Sequence, residues 1–230
     1  VPSYDKINFF LKIGRKLGSG YHNIQSVMQR IELSDTISIE PLSEDRIIVE
    51  CTNKELENEN NLAYKTALLL KKKFLISEGV KISMEKNIPL QSGLGGGSSN
   101  AATTLLNLNK LWGLKLKEKQ LIELAAQIGS DVPFFMGDDA ALVEGIGEKI
   151  KSIKKSFSIN IVLINPGFRV PTKWAYSAFD RQKPRIKTKA DIGSLIKAIE
   201  KKDIKEIARN VHNDFDMIVT KKYKQMNEIK

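Results

Sequence analysis

Apolar and polar positions alternate from the start of the chain. Ile7, Phe9, Leu11 and Ile13 take one side, and Lys6, Asn8, Phe10 and Lys12 the other, the period-two pattern of a strand. This strand has neither lead-in nor initiator Met, so further sequence is expected upstream of Val1. Residues 14–20 are turn-rich. Residues 24–31, 36–40 and 46–50 read as further strands, separated by polar turns such as 43–45. The period then changes. Ala63, Ala67, Leu70 and Phe74 form a helical stripe that reads as core. Residues 80–84 alternate again as a strand. Ala101, Leu105, Leu108 and Trp112 mark a second helix, and Leu121, Leu124, Ala125 and Ile128 a third, closed by Gly129 as C-cap. Residues 140–144 and 146–150 read as a hairpin and 159–164 as a short apolar strand. Helices are expected from 171, over 191–199 and 203–211, and from about 213 to Lys230. The composition turns basic and polar at 151–157, which sets a domain boundary and gives domains 1–155 and 156–230.

The strand ending at Met84 and the helix at Ala101 are joined by Asn87-Ile-Pro-Leu-Gln-Ser-Gly-Leu-Gly-Gly-Gly-Ser-Ser-Asn100. Residues 89–99 contain four glycines and three serines. Glycines let the backbone approach a ligand closely, and a helix start offers unpaired N–H groups and partial positive charge. Together they make an anion site, most often for phosphate. No Lys-Ser/Thr pair follows, as a Walker A loop requires. Ser98 stands where a dinucleotide fingerprint needs its third glycine, and no G-x-S-x-G elbow is present. A flexible loop before a helix is the alternative, but the small residues Ser98, Ser99, Ala101 and Ala102 favour close packing under a ligand.

Ser130-Asp-Val-Pro133 is a helix-start signal. Asp131 therefore reads as an N-cap and, compatibly, as a carboxylate able to take a proton from an attacking hydroxyl, since a residue at a helix start is well fixed. Tyr21-His22, beside a glycine hinge, either stacks on a planar ring or caps a loop. Lys6 and Asn8 share a strand face that spacing alone would leave in solvent.

Composition narrows the classes. The 230 residues are 41% hydrophobic and 28% charged, ordinary for a globular protein and enough for one large domain or two small ones. No stretch approaches a membrane span and no signal peptide is visible. A single cysteine, Cys51, cannot form an internal disulfide and suits a reducing compartment. With two histidines, His22 and His212, a zinc cluster is not expected. The net charge of +10 admits nucleic acid, membrane or an anionic small molecule as partner. The lysines are not interleaved with aromatics, however, and read as a solvated surface.

Three blocks carry a family resemblance: Lys6-Ile-Asn-Phe-Phe-Leu-Lys12 through Gly20-Tyr-His22; Asn87-Ile-Pro89 through the glycine loop; and Gly129-Ser-Asp-Val-Pro-Phe-Phe135. On these the chain resembles the GHMP kinase superfamily over nearly its whole length. Tyr21-His22 and the Gly-Leu-Gly-Gly-Gly-Ser-Ser form point to its branch acting on 4-diphosphocytidyl-2-C-methyl-D-erythritol (CDP-methylerythritol). The resemblance implies an α+β fold: an N-terminal ribosomal protein S5 domain 2-like domain, a C-terminal ferredoxin-like α/β sandwich, and an active site between them. It implies ATP-dependent phosphorylation of the substrate's 2-hydroxyl, for isoprenoid precursor synthesis. Pro89, Leu90, Gln91, Ser92, Gly93, Leu94, Gly95, Gly96, Gly97, Ser98 and Ser99 would hold ATP, with Ser98 or Ser99, here assigned to Ser99, near Mg²⁺. Asn61 and Leu62 would border the adenine. Asp131 would be the base and Lys6 would keep it ionised, since phosphoryl transfer needs mainly positioning and charge stabilisation. Tyr21, His22, Thr172 and Tyr176 would hold the cytosine, and Asn8 would contact the substrate near Lys6. A small-molecule substrate, no nucleic-acid or membrane partner, a monomer or weak homodimer, and a cytoplasmic (or, after transit-peptide removal, plastid) location follow.

The chain departs from the family at Asp5, where a small residue is usual, at Asn100 (usually Asp) and at Lys173 (often Pro). The family's third glycine-rich motif is not reached before Lys230, which implies an incomplete chain and C-terminal sheet. The alternatives are another GHMP-type kinase, such as a homoserine or mevalonate kinase, and a non-catalytic nucleotide-binding fragment.

Overall fold

The computed structural model describes residues 1–153, 158–182 and 188–229. The order is β1 (Pro2–Lys16), β2 (His22–Leu42), β3 (Ile47–Cys51), α1 (Leu62–Phe74), β4 (Gly79–Glu85), α2 (Gly96–Leu111), α3 (Glu118–Ile128), β5 (Ala140–Gly145), β6 (Lys149–Ser152), α4 (Thr172–Arg181), α5 (Ile192–Lys201), α6 (Ile204–Asn210), β7 (His212–Asn213), α7 (Asp216–Lys222) and α8 (Met226–Ile229). The fold is α+β. It divides into two compact units that are discontinuous in sequence, and β1 and β2 contribute to each. The boundary expected at 155/156 falls on residues 154–157, outside the described residues.

The first unit comprises Val1–Lys6, Arg30–Ile88 and Gly95–Gly137. Here β4 pairs antiparallel with the second half of β2, Ile37 opposite Met84, and parallel with β3, Val49 opposite Ile82. The helices pack as their stripes predict. Ala63, Ala67 and Leu70 of α1 and Ala101, Leu105 and Leu108 of α2 are fully buried or nearly so, and α2 packs against both α1 and α3. Gly129 caps α3, in an extended rather than left-handed conformation.

The second unit comprises Ile7–Gln29, Pro89–Leu94 and Asp138–Lys230. The first half of β2 pairs antiparallel with β5, β5 with β6, and Phe10 and Leu11 of β1 pair parallel with β7. Its core gathers Phe10, Val27, Ala140 and Ile153 with Leu195, Ala198, Ile199 and Ile207 of α5 and α6.

Three expectations change. Residues 24–31 and 36–40 belong to one strand, His22–Leu42, and the polar Asp35 between them is fully buried within it. Residues 159–164 form no strand. An apolar run becomes a strand only where a neighbour supplies a ladder, and Val162 is 88% exposed. The last expected helix is broken at Tyr223 into α7 and α8.

Candidate active site

In the first unit the glycine loop enters α2 through Gly95, whose φ of +91° is left-handed and costs glycine little. A Cβ there would also lie 3.0 Å from Phe135 Cζ and 3.1 Å from Lys6 Cε. Lys6 and the Phe135 turn thus approach the backbone at the start of the helix. The first intrahelical bond runs from Ser99 N–H to the Gly95 carbonyl, and no side chain caps the helix. The amides of Gly96, Gly97 and Ser98 are left to meet an anion at the positive end of a helix spanning residues 96–111. Leu62 lies beside this turn, 3.7 Å from where a Gly97 Cβ would stand. Asn61 caps α1, accepting from the Ala63 amide at 2.9 Å and donating to the Leu56 carbonyl at 2.9 Å.

Lys6 is buried, and its Nζ stands 3.7 Å from Oδ2 of the partly exposed Asp131. The 3₁₀ turn Pro133–Met136 takes Val132 as its N-cap with no side-chain cap bond. The N-cap reading of Asp131 therefore fails, and its carboxylate faces Lys6 instead. Arg30 pins this turn by donating to the Phe135 and Gly137 carbonyls at 3.3 and 3.1 Å.

Ser99 does not fit its assignment to the metal. Its hydroxyl is buried, donates to the Tyr4 carbonyl and meets Ser3 Oγ at 2.7 Å. Ser98, in the same turn, is half-buried. Among the described residues no group of three or more His, Cys, Asp or Glu side chains could hold a metal ion.

Behind the helix start lies a polar cluster that sequence reasoning missed. Oδ1 of Asp35 accepts from the Asn87 and Ile88 amides at 2.8 and 2.9 Å. Its Oδ2 accepts from Asn100 Nδ2 at 2.9 Å and is paired with Lys86. Lys86 also donates to Asn100 Oδ1 at 3.0 Å, and Asn100 donates to Ser3 at 3.1 Å. The strand end before the loop is thereby tied to α2 after it, and Asn100 serves here without the family's usual charge. Asp5 is fully buried nearby. Its Oδ1 accepts from the Lys6 amide at 2.8 Å, while Oδ2 has no hydrogen-bond partner among the described residues. Burial pushes this carboxyl from 3.8 up to about 7, helped by the negative charge of Asp35 and opposed by Lys6 and Lys86.

In the second unit His22 is buried and stacked on Tyr176, with centroids 5.1 Å apart and 20° between planes, and edge-on to Phe179. Its Nε2 meets Asp180 Oδ1 at 2.6 Å, and Lys16 donates to Oδ2 of the same carboxylate at 2.7 Å. These bonds, Lys16 first, hold the Asp180 carboxyl below its usual range. Tyr21 projects outward at 58% exposure, and Thr172 is exposed at the first turn of α4. Asn8 is turned to Ser26, donating at 2.7 Å. Within Pro89–Leu94, Ser92 donates to the Pro89 carbonyl at 2.8 Å and Gln91 accepts from the Val170 amide at 3.1 Å; Gly93 and Leu94 complete this part of the loop, with Leu90 half-buried. The structure thus gathers His22 with Tyr176 and Lys6 with Asp131. It adds Asp180, Asp35 and Lys86, which as single charges on amphipathic or turn-like stretches carry no sequence signal.

The model of the GHMP kinases N terminal domain matches residues 61–138, which include the glycine loop and Asp131. The chain is 42% identical over 231 positions to 4-diphosphocytidyl-2-C-methyl-D-erythritol kinase of Caldicellulosiruptor saccharolyticus, covering 100% of this chain and 79% of that protein. It is 39% identical to the protein of the same name in Clostridioides difficile, covering 100% and 78%. A crystal structure of 4-(cytidine 5'-diphospho)-2C-methyl-D-erythritol kinase superposes with a TM-score of 0.76 at 27% identity, covering 100% of this chain and 80% of that one. Homoserine kinase from Cytophaga hutchinsonii, at a TM-score of 0.57 and 18% identity over 81% and 65% of the two chains, shares the fold. With its full length matched at this identity, and with the expected α+β architecture in place, the chain belongs to the 4-diphosphocytidyl-2-C-methyl-D-erythritol kinase family of GHMP kinases.

Proposed function

We propose that this chain transfers the γ-phosphoryl group of ATP to the 2-hydroxyl of 4-diphosphocytidyl-2-C-methyl-D-erythritol, a step of isoprenoid precursor synthesis. The observation that carries the chemistry is the Lys6–Asp131 pair next to the uncapped start of α2. Asp131 takes the proton of the attacking hydroxyl. Lys6, 3.7 Å away, faces that carboxylate and offsets charge on the transferring group. The amides of Gly96, Gly97 and Ser98 hold nucleotide phosphate, with the rest of the loop after Pro89 lending backbone donors. Leu62 and Asn61 lie on the nucleotide side. Magnesium would be carried on the nucleotide phosphates, and the Ser98 hydroxyl is the side chain that would meet it. His22 reads the edge of the cytosine, Tyr21 and Tyr176 cover its faces, and Thr172 and Asn8 add polar contacts. No nucleophilic side chain is needed.

The activity is assigned to the cytoplasm, to a monomer or weak homodimer, and to no nucleic-acid or membrane partner. Among the described residues no helix is long and apolar enough to cross a membrane. The test is acceptor choice. ADP release should follow CDP-methylerythritol and not homoserine or mevalonate, and release with either of the latter at a comparable rate refutes the substrate.

A further inference from the structure

His22 can read a base edge with a defined sign only if one ring nitrogen is always the protonated one. A neutral imidazole has one donor and one acceptor nitrogen, and the partner of the first decides the role of the second. Asp180 Oδ1 lies 2.6 Å from His22 Nε2. The Asp180 carboxyl is held below its usual range by Lys16 and by His22 itself. It is therefore an acceptor at neutral pH, so Nε2 must donate. In the neutral ring Nδ1 is then the acceptor. The ring is also fixed in plane, stacked on Tyr176 and edge-on to Phe179.

We propose that Asp180 is a positioning residue that sets the tautomer of His22, and that it thereby selects an amino-pyrimidine over a keto-pyrimidine. The exocyclic amine of cytosine donates to Nδ1, whereas uracil places a carbonyl oxygen there and two acceptors oppose. The selectivity rests on the reading that His22 meets the base; the tautomer does not. Lys16, on the far oxygen of the same carboxylate at 2.7 Å, keeps Asp180 ionised without touching the ring. His22 is on β2, Lys16 on β1 and Asp180 on α4, so three elements are joined through one carboxylate.

The test uses the full chain, Asp180→Ala, and Asp180→Asn as the variant that keeps size. Ring-nitrogen NMR, assigned by the signals lost in His22→Gln, reads the tautomer of neutral His22. Calorimetry with cytidine diphosphate and uridine diphosphate reads the selectivity. The wild type should show the Nε2–H tautomer alone and favour the cytidine compound. Asp180→Ala should give mixed tautomers and lower the cytidine-to-uridine preference about tenfold, the order of one hydrogen bond. Asp180→Asn, whose amide can accept or donate, should lie between. General loosening would weaken both diphosphates alike and leave their ratio unchanged, which overturns the proposal. Mixed tautomers in the wild type overturn the role of Asp180. A single wild-type tautomer that Asp180→Ala disperses, without any preference between the diphosphates, overturns the selectivity and the base site with it.

Discussion

Asp5→Asn should make the protein more stable above neutral pH and flatten the dependence of its stability on pH. Asp5 is fully buried with one carboxylate oxygen unpartnered, and its carboxyl lies at about 7 rather than 3.8. The folded state thus holds this proton to higher pH than the unfolded chain does. Stability from this group is greatest below the unfolded value, falls as pH rises through the interval between the two, and stays low above the folded value. At about 1.36 kcal/mol per pH unit the full difference is roughly 4 kcal/mol, with roughly 2.6 kcal/mol of it developing between pH 5 and 8. Relaxation of Lys6 and Lys86 toward the charge reduces this, so a difference of about 1–3 kcal/mol is expected. Asn keeps the acceptor for the Lys6 amide and removes the ionisation. The assay is urea unfolding of both proteins at pH 5 and pH 8. Wild type should lose about 1–3 kcal/mol more than Asp5→Asn over that interval, since every other titrating group is common to both and cancels. Parallel loss in the two proteins refutes the argument, because Asp5 would then be ionised at no cost.

The other predictions follow from contacts. Gly95→Ala should lose about 1–2 kcal/mol of stability in urea unfolding and raise KM for ATP, because its Cβ would meet Lys6 and Phe135 at a left-handed residue. Asp35→Ala should cost about 3–5 kcal/mol by the same assay, because it strands the buried Lys86 ammonium. Asn100→Asp would replace the amide that donates to Asp35 by a second carboxylate, and should lower stability in the same assay. Lys6→Met should lower kcat at least 10²-fold with little change in unfolding free energy, the loss being charge stabilisation rather than packing.

The helices were legible because each buries one stripe. Ala63, Ala67 and Leu70, and Ala101, Leu105 and Leu108, are core residues, and period fixes which side of a helix faces inward. Strands were less legible because a strand depends on its partner. The apolar residues 159–164 form no strand, whereas Asp35, in a stretch that reads as a turn, lies inside one. The glycine-led start of α2, with no side-chain cap, could be read from its residues. The pairing of Lys6 with Asp131 came from resemblance, since no periodicity relates positions so far apart. Asp131 has the local signature of a helix cap and uses its carboxylate otherwise, because Pro133 begins only a 3₁₀ turn. Asp180 escaped notice because a single acid near the end of an amphipathic helix looks like any solvated charge. Its partners, His22 and Lys16, lie some 160 residues earlier in the chain and only the fold brings them to it.

The most direct test of the central claim is ADP release with ATP and magnesium, with and without CDP-methylerythritol, by the wild-type chain and by Asp131→Asn. Substrate-dependent release by the wild type that falls at least 10²-fold in Asp131→Asn, with ATP binding intact, is the expected result. Equal turnover by the two proteins would contradict it and would remove Asp131 from the chemistry.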